Sequence, residues 1–275
     1  MTRLARLLVL TAGFLAGGLP APVAWAAWGS VGSLGSVQDK TANKSSMALA
    51  TAAQLDAGRI GVLCVAVDNN QTTDGDEGAV SGVVDDAGNS WTKAAEFTNG
   101  QAGAQAGATA SLWYVKAGAT LSAGANIMIS FTNNTSRDAS AATAWAFTVG
   151  AGGGATVQTS TTLAVDNADP SSMNLSPPSA EYLWVRCIAG ETNSTTALTP
   201  TANFTALGGN QTAGGQAATN MAVRGEFRIF TGTSNASDPT WANSDNANVY
   251  AALAETAPPA AACPATAGLL VEVAC

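Results

Sequence analysis

The sequence contains no histidine among its 275 residues. This absence excludes catalysis by Ser-His-Asp or Cys-His arrangements, and it excludes the histidine-containing zinc and iron sites that are common in enzymes. None of the four cysteines stands in a Cys-x-x-Cys spacing, so a thiolate metal site or a redox motif is not indicated either. Carboxylate pairs, Ser-Lys chemistry and oxygen-ligated calcium remain open.

Charged and aromatic residues are also scarce, at 11% and 6% of the chain, and the net charge is −8. A nucleic-acid surface needs clustered Lys and Arg to neutralise phosphates, whereas the 11 basic residues here are scattered along the chain. We therefore expect no nucleic-acid partner. The hydrophobic share of 47% comes mostly from Ala and Val, which suit closely packed sheets and tight turns.

The N-terminus is the segment that most resembles a targeting signal. Arg3 and Arg6 precede an apolar run over residues 7–19, and Ala24-Trp25-Ala26 matches a small-x-small cleavage site. This order is typical of a cleaved secretory signal peptide, and the alternative for residues 1–26 is an apolar arm that packs on a partner subunit. The apolar run is about 13 residues long and a bilayer span needs roughly 20, so we expect no membrane span.

The cysteines divide into two pairs. Cys263 and Cys275 bracket most of a tail, residues 258–275, whose composition differs from the rest, and we predict a disulfide between them. Cys64 and Cys187 lie in strand-like runs. We interpret these two as buried small hydrophobic residues, because free cysteine is often fully buried. The sequence does not decide whether Cys64 and Cys187 are paired.

Hydrophobic alternation predicts an all-β protein. Short apolar runs stand between clusters of Gly, Asn, Asp, Ser and Pro. Alternate residues of "NIMISFT", starting at Ile127, share a face, as do those of "YLWVRCI", starting at Leu183. The run "RIGVLCVAV" is apolar on both faces, which predicts a central, covered strand. The best helix candidate is residues 46–58, although its threonines also allow a strand.

The stretch "VVDDAGNSWTKAAEFTNG", residues 83–100, combines two turn signals with a tryptophan. Asp85 to Gly88 predicts a type I turn in a hairpin, with Gly88 or Asn89 supplying the positive φ. The Asp side chain that begins such a turn can accept hydrogen bonds from the backbone amides ahead of it. We expect Trp91 to begin the return strand and to cover the open end of the hairpin.

A weak internal sequence similarity suggests two similar halves. "RIGVLCVAV" resembles "EYLWVRCIA" with the cysteines in register, and "GNSWTKAAEFTNG" loosely matches "TANFTALGGNQTAGG". Two small sandwiches in tandem would fit, and so would one sandwich whose halves look alike. We favour one antiparallel, jelly-roll-like β-sandwich over residues 27–257, with pseudo-repeats at about 55–150 and 160–257.

The order of these pieces resembles a family of β-sandwich domains with a D-x-x-G-N-x-[WY] turn, here ending in Gly88, Asn89 and Trp91, followed by an "LWY" strand at residues 112–114. The resemblance covers residues 55–150 well and 180–255 loosely. Domains of this kind occur in bacteriophage virion proteins and in secreted or surface proteins of bacteria. The resemblance therefore implies a sandwich fold, and it carries no catalytic residues that map onto this chain.

Two loops offer candidate ligand sites. "VDNNQTTDGDEG" concentrates carboxylates that could hold calcium, although the order is not that of an EF-hand loop and a solvated loop is the simpler interpretation. The candidate ligands are Asp68, Asp74, Asp76 and Glu77. In "DPTWANSDN", Trp241 with Asp238 and Asp245 could bind a sugar by stacking, although Trp241 could equally be a core residue.

Enzyme activity is not expected. Asp85 or Asp86 could form half of a glycosidase pair, but no second carboxyl is marked by the sequence. We expect no cofactor. The leading hypothesis is a structural protein of a bacteriophage virion, such as a capsid decoration or tail-associated protein, that contacts other virion proteins or identical subunits. The alternative is a secreted bacterial surface or carbohydrate-binding module, extracellular or on the cell surface after signal cleavage, with a cell-surface glycan as its partner.

Overall fold

The computed structural model describes residues 28–68, 72–101, 107–132, 137–150 and 153–256. The predictions for residues 1–26 and for the tail 258–275, including the disulfide between Cys263 and Cys275, lie outside the described residues.

The described residues form fifteen strands and one short 3-10 turn, Ala217–Thr219, and every strand pair in the sheets is antiparallel. The all-β antiparallel fold class is therefore confirmed. The strands of the first half are β1 Gly29–Asp39, β2 Ser46–Ala50, β3 Ile60–Asp68, β4 Val80–Asp85, β5 Thr92–Thr98, β6 Ala108–Lys116, β7 Asn126–Phe131 and β8 Ser140–Thr148. Those of the second half are β9 Gly154–Ala168, β10 Met173–Leu175, β11 Ala180–Glu191, β12 Thr205–Gln211, β13 Met221–Gly232, β14 Asn235–Ser237 and β15 Ser244–Thr256.

The strands form two large and two small sheets. The first large sheet has the order β1-β8-β3-β6-β5, and the second has the order β12-β13-β11-β15-β9. The first small sheet is β2-β7-β4, and the second is the pair β10-β14. The two halves therefore share one strand order: β1, β8, β3, β6 and β5 correspond to β9, β15, β11, β13 and β12, while the β2-β7 pair corresponds to β10-β14. The halves thus have the same topology, and the first begins at β1 rather than at about residue 55 as predicted.

Three layers of apolar packing hold the sheets together. The central core joins the two large sheets, with β3 and β11 facing one another through alternate residues such as Val62 and Val185. The opposite face of the first large sheet packs on β2, β4 and β7 through residues such as Leu63 and Ile129. The opposite face of the second large sheet packs on β10 through Trp184 and its neighbours. Both large sheets are thus covered on both faces.

The strand predictions are confirmed where alternation was clear. In β7 the three alternate residues from Ile127 to Phe131 are buried, while Met128 and Ser130 are not. All nine residues of β3 are buried, as expected for a central strand that is apolar on both faces. The helix candidate at residues 46–58 is not helical. Its first five residues form β2, because Met47 and Leu49 point into the core on alternate positions.

The two halves also match in detail. A bulge follows Lys93 in β5, where Thr92 pairs with Tyr114, and a bulge follows Ala206 in β12 after the equivalent pairing. The similarity between the segments around Trp91 and Phe204 thus reflects the same strand geometry. Both aromatic side chains are buried.

Cys64 and Cys187 form a disulfide that joins β3 to β11 across the central core, with Cα atoms 5.5 Å apart. The interpretation of these cysteines as free, buried residues is therefore wrong about pairing and correct about burial, since they are 1% and 0% exposed. They occupy equivalent positions in the two halves. A residue that contacts its own equivalent is what a two-fold axis generates, so the halves are related by an approximate two-fold axis through this bond.

Candidate functional site

The carboxylate of Asp85 organises the turn that the sequence singles out. Asp85 is buried, and its Oδ1 accepts hydrogen bonds from the backbone N–H of Ala87 at 3.1 Å and of Asn89 at 3.0 Å. Its Oδ2 accepts from the amide of Asn89 at 3.1 Å and from Nε1 of Trp91 at 3.3 Å. Gly88 has the expected positive φ of 80°. Asp85 therefore fixes the turn and the tryptophan together.

Asn89 extends this network to a second loop. Its Oδ1 accepts the backbone N–H groups of Gly118 at 2.8 Å and Ala119 at 3.0 Å, and its Nδ2 donates to the carbonyl of Ala119 at 3.0 Å. The motif D-x-x-G-N-x-W thus joins two loops through one buried amide. Such a network rigidifies the fold when every member is satisfied.

The hairpin prediction needs a correction. The chain does reverse at Gly88, but β4 pairs with β7 in the small sheet, whereas β5 pairs with β6 in the large sheet. In the described residues the two segments share one backbone bridge, between Val84 and Ser90, in addition to the side-chain hydrogen bonds of Asp85. The turn is therefore a corner between packed sheets, and the buried ring of Trp91 fills the space between them.

The two carboxylates of the glycosidase hypothesis, Asp85 and Asp86, both bind neighbouring groups. Asp85 is fully engaged by the turn, and the exposed Asp86 accepts two hydrogen bonds from Asn126, at 2.8 Å and 3.0 Å. Both side chains hold loops in place.

The four candidate calcium ligands, Asp68, Asp74, Asp76 and Glu77, differ in their surroundings. Asp68 is buried, whereas Asp74 and Asp76 are exposed and each accepts a backbone N–H, from Gly100 at 2.9 Å and from Gly78 at 3.0 Å. Within the described residues, no group of three or more His, Cys, Asp or Glu side chains is arranged to hold a metal ion. The calcium hypothesis stays a prediction without support from this geometry.

The candidate sugar site has a different geometry from the one predicted. Trp241 is only 5% exposed and belongs to a small apolar cluster with Ile188 and Leu198. The guanidinium of Arg224 lies 5.4 Å from the centroid of its ring. Asp238 is exposed, and Asp245 accepts the backbone N–H of Asn167 at 2.9 Å. Stacking of a sugar on Trp241 is excluded because core residues cover the ring.

Two buried carboxylates lie at equivalent strand ends. Asp68 ends β3 and Glu191 ends β11, so the approximate two-fold axis places them at the same end of the central core. Burial raises the pKa of Asp68 to about 7, and the negative charge of Glu191 adds to this effect. Burial likewise raises the pKa of Glu191 to about 7, with a further contribution from Asp245. Both accept backbone hydrogen bonds, from Asp138 and Gly107.

An open cavity of about 410 Å³ lies between the loop after β11 and strand β12. Its wall includes Thr195 and Ala197 from the loop, Gly208 and Gly209 from β12, and Arg224 from the neighbouring strand β13. Sequence reasoning missed this site. Arg224 stands in an ordinary strand, and only the three-dimensional structure brings the loop over it.

Comparison with known proteins finds no match to a protein-family model, a curated protein or a solved structure. The resemblance to phage and bacterial β-sandwich domains therefore depends on the turn and strand motifs alone. Among the described residues no helix is long and apolar enough to cross a membrane.

Proposed function

We propose that this chain is a non-enzymatic structural protein of a bacteriophage virion that acts through protein-protein surfaces. The observation that supports this role is that the buried carboxylates accept hydrogen bonds from the protein's own backbone and side chains. Asp85 binds turn amides, Asp68 and Glu191 bind backbone N–H groups, and Glu226 accepts hydrogen bonds from Thr201 and Ser237. These groups hold loops on a rigid four-sheet framework, which suits a subunit that is packed into an assembly.

Purified particles from the source organism provide the direct test. A density gradient of a phage lysate, followed by mass spectrometry of each fraction, should recover peptides of this chain at the density of intact virions and in constant ratio to the capsid protein. Recovery only in the particle-free fraction contradicts the proposal. A screen of hydrolase substrates should give no turnover, and turnover that is lost in an Asp85→Asn variant would contradict the non-enzymatic role.

The alternative is a secreted bacterial surface protein, and one observation favours it specifically. The Cys64–Cys187 disulfide lies in the middle of the core, and structural disulfides form mainly in oxidising environments such as the periplasm and the cell exterior. N-terminal sequencing of the native protein separates the two proposals. Ala27 as the first residue, in a cell-surface or medium fraction, supports secretion, and retention of Met1 in a particle supports the virion role.

A further inference from the structure

Within the second half, which is described throughout, no strand matches β4. The loop in its place makes one bridge, between Thr199 and Thr240, and lines one side of the cavity. In the first half β4 connects β3 to β5 and completes the small sheet. In the second half residues 192–204 run as a loop between β11 and β12. This loop places Leu198 on the apolar cluster with Trp241, and it leaves Thr195 and Ala197 exposed at the edge of the cavity.

Arg224 supplies a buried positive charge to the wall of this cavity. The residue is 6% exposed. Nη1 donates to the carbonyls of Val223 at 2.9 Å and Asn210 at 3.1 Å, and Nη2 donates to the side-chain oxygen of Gln211. Nε and Nη2 reach the carbonyl of Thr196 only at 3.4 Å. All of these partners are neutral, and two of the bonds are long enough to be exchanged for a better acceptor.

The other buried arginines show what Arg224 lacks. Arg186 lies near Glu226, and Arg137 lies near Asp68 and Glu96, so that negative charges support both cations. Arg224 takes part in no ion pair within the described part of the chain. Burial alone lowers the pKa of Arg224, with no carboxylate acting against it. A buried charge without a counter-charge is costly unless another group compensates it.

We propose that the cavity binds a small organic anion of about monosaccharide size, with its carboxylate or phosphate directed at Arg224. The fixed planar guanidinium suits the oxygens of either anion. A volume of about 410 Å³ equals roughly fourteen waters at about 30 Å³ each, which is more than a bare inorganic ion fills. The hydroxyl of Thr195 and the side-chain NH2 of Gln211 offer hydrogen bonds to the hydroxyls of such a ligand, whereas the side-chain amide of Asn210 is engaged by Ser36 and by the backbone N–H of Gln211.

Trp241 and the glycines of β12 give the site its shape. The ring of Trp241 holds the guanidinium from one side, and cation–π contact limits its movement. A Cβ at Gly209 would collide with the carbonyl oxygen of Val223 and would also lie 2.8 Å from Nη1 of Arg224, so glycine is needed there for close approach. The site thus has a preorganised cation, which reduces the entropy that binding must overcome.

Three sugars with one ring type test this site by isothermal titration calorimetry on the full chain. The probes are galactose, galacturonate and galactose 6-phosphate. We expect one or both anionic sugars to bind and galactose to bind at least about tenfold more weakly, because only the anions pair with the arginine. Whichever anion binds more tightly identifies the source of the charge as a carboxylate or a phosphate. Equal affinity for all three sugars, or no binding of either anion, overturns the proposal.

Two variants place the binding at this cavity. Arg224→Gln removes the charge and should weaken anion binding at least about tenfold, whereas Arg228→Gln, on the same strand but outside the cavity wall, should leave it unchanged. If Arg224→Gln does not fold, Ala197→Phe decides, since it fills the cavity from an exposed loop position. Anion binding that survives in a folded Arg224→Gln or Ala197→Phe variant contradicts the site. The virion or secreted role does not depend on this result.

Discussion

Removing the disulfide between Cys64 and Cys187 should reduce the stability of the protein by about 5 kcal/mol. The two cysteines are separated by 123 residues, and the chain-entropy relation for a closed loop of this length gives about 5 kcal/mol of destabilisation when the cross-link is lost. Both sulfur atoms lie in the central core between the large sheets, so the bond also fixes how β3 and β11 face one another.

Urea unfolding followed by tryptophan fluorescence measures this effect. For a chain of this size an m-value of about 2.5 kcal/mol per molar urea turns the loss into a midpoint shift of about 2 M. The perturbation is the double variant Cys64→Ala and Cys187→Ala, and the wild type in reductant serves as a second measurement in which both sulfur atoms remain. The two measurements should agree within about 1 kcal/mol, the difference being the cost of the small cavities that alanine leaves.

The double variant Cys263→Ala and Cys275→Ala is the matched control, because reductant would also open a bond between these residues. Its midpoint shift gives the share of the reductant's effect that belongs to a bond between Cys263 and Cys275, so that the remainder can be assigned to the core bond. A midpoint shift below about 0.5 M in the core variant, with an unchanged m-value, would refute the chain-entropy argument for this bond.

Three further predictions concern the Asp85 turn, the packing of Gly190 against Trp241, and the two buried carboxylates Asp68 and Glu191. Asp85→Asn should lower the free energy of unfolding by about 2–3 kcal/mol, because hydrogen bonds to a charged acceptor are lost. The exposed control Asp86→Asn should lower it by less than about 1 kcal/mol. Urea unfolding of both variants measures the difference. Gly190→Ala should cost about 1–3 kcal/mol and alter tryptophan fluorescence, because its Cβ would lie 2.5 Å from the ring of Trp241; an unchanged spectrum and stability would contradict this packing. The raised pKa values of Asp68 and Glu191 contribute stability that is fully present below about pH 4 and is lost as the pH rises through about 7, so the free energy of unfolding should fall by about 6 kcal/mol between pH 4.5 and pH 8, with a similar share from each group. The variant Asp68→Asn with Glu191→Gln should flatten this dependence, and a steeper fall in the variant would reverse our assignment.

Local patterns in the sequence predict much of this fold because they are set by local physics. The faces of β7 and β11 follow from alternation, since each side chain points opposite to its neighbours. The Asp85 turn follows from the short reach of an aspartate to the amides ahead of it, and Gly88 from the need for a positive φ. The similar halves follow from the register of the two cysteines.

Contacts between residues that are far apart in the sequence could not be predicted in the same way. Which sheet a strand joins depends on pairing with strands far along the chain, so a turn between β4 and β5 resembles a hairpin even though it connects two sheets. The pairing of Cys64 with Cys187 depends on how the halves face one another. The burial of Trp241 depends on the loop that carries Leu198, and its sequence has no periodicity to reveal that contact.

The approximate two-fold axis has a consequence for how such a chain could arise. A half-length ancestor with one cysteine at the centre of its large sheet would place that cysteine against its own copy, so a single substitution would create both ends of a cross-link at once. Joining the two genes would keep the covalent bond and free each copy to diverge. The second copy could then exchange one strand for the loop that lines the cavity, a change that two identical subunits could not make on one side alone.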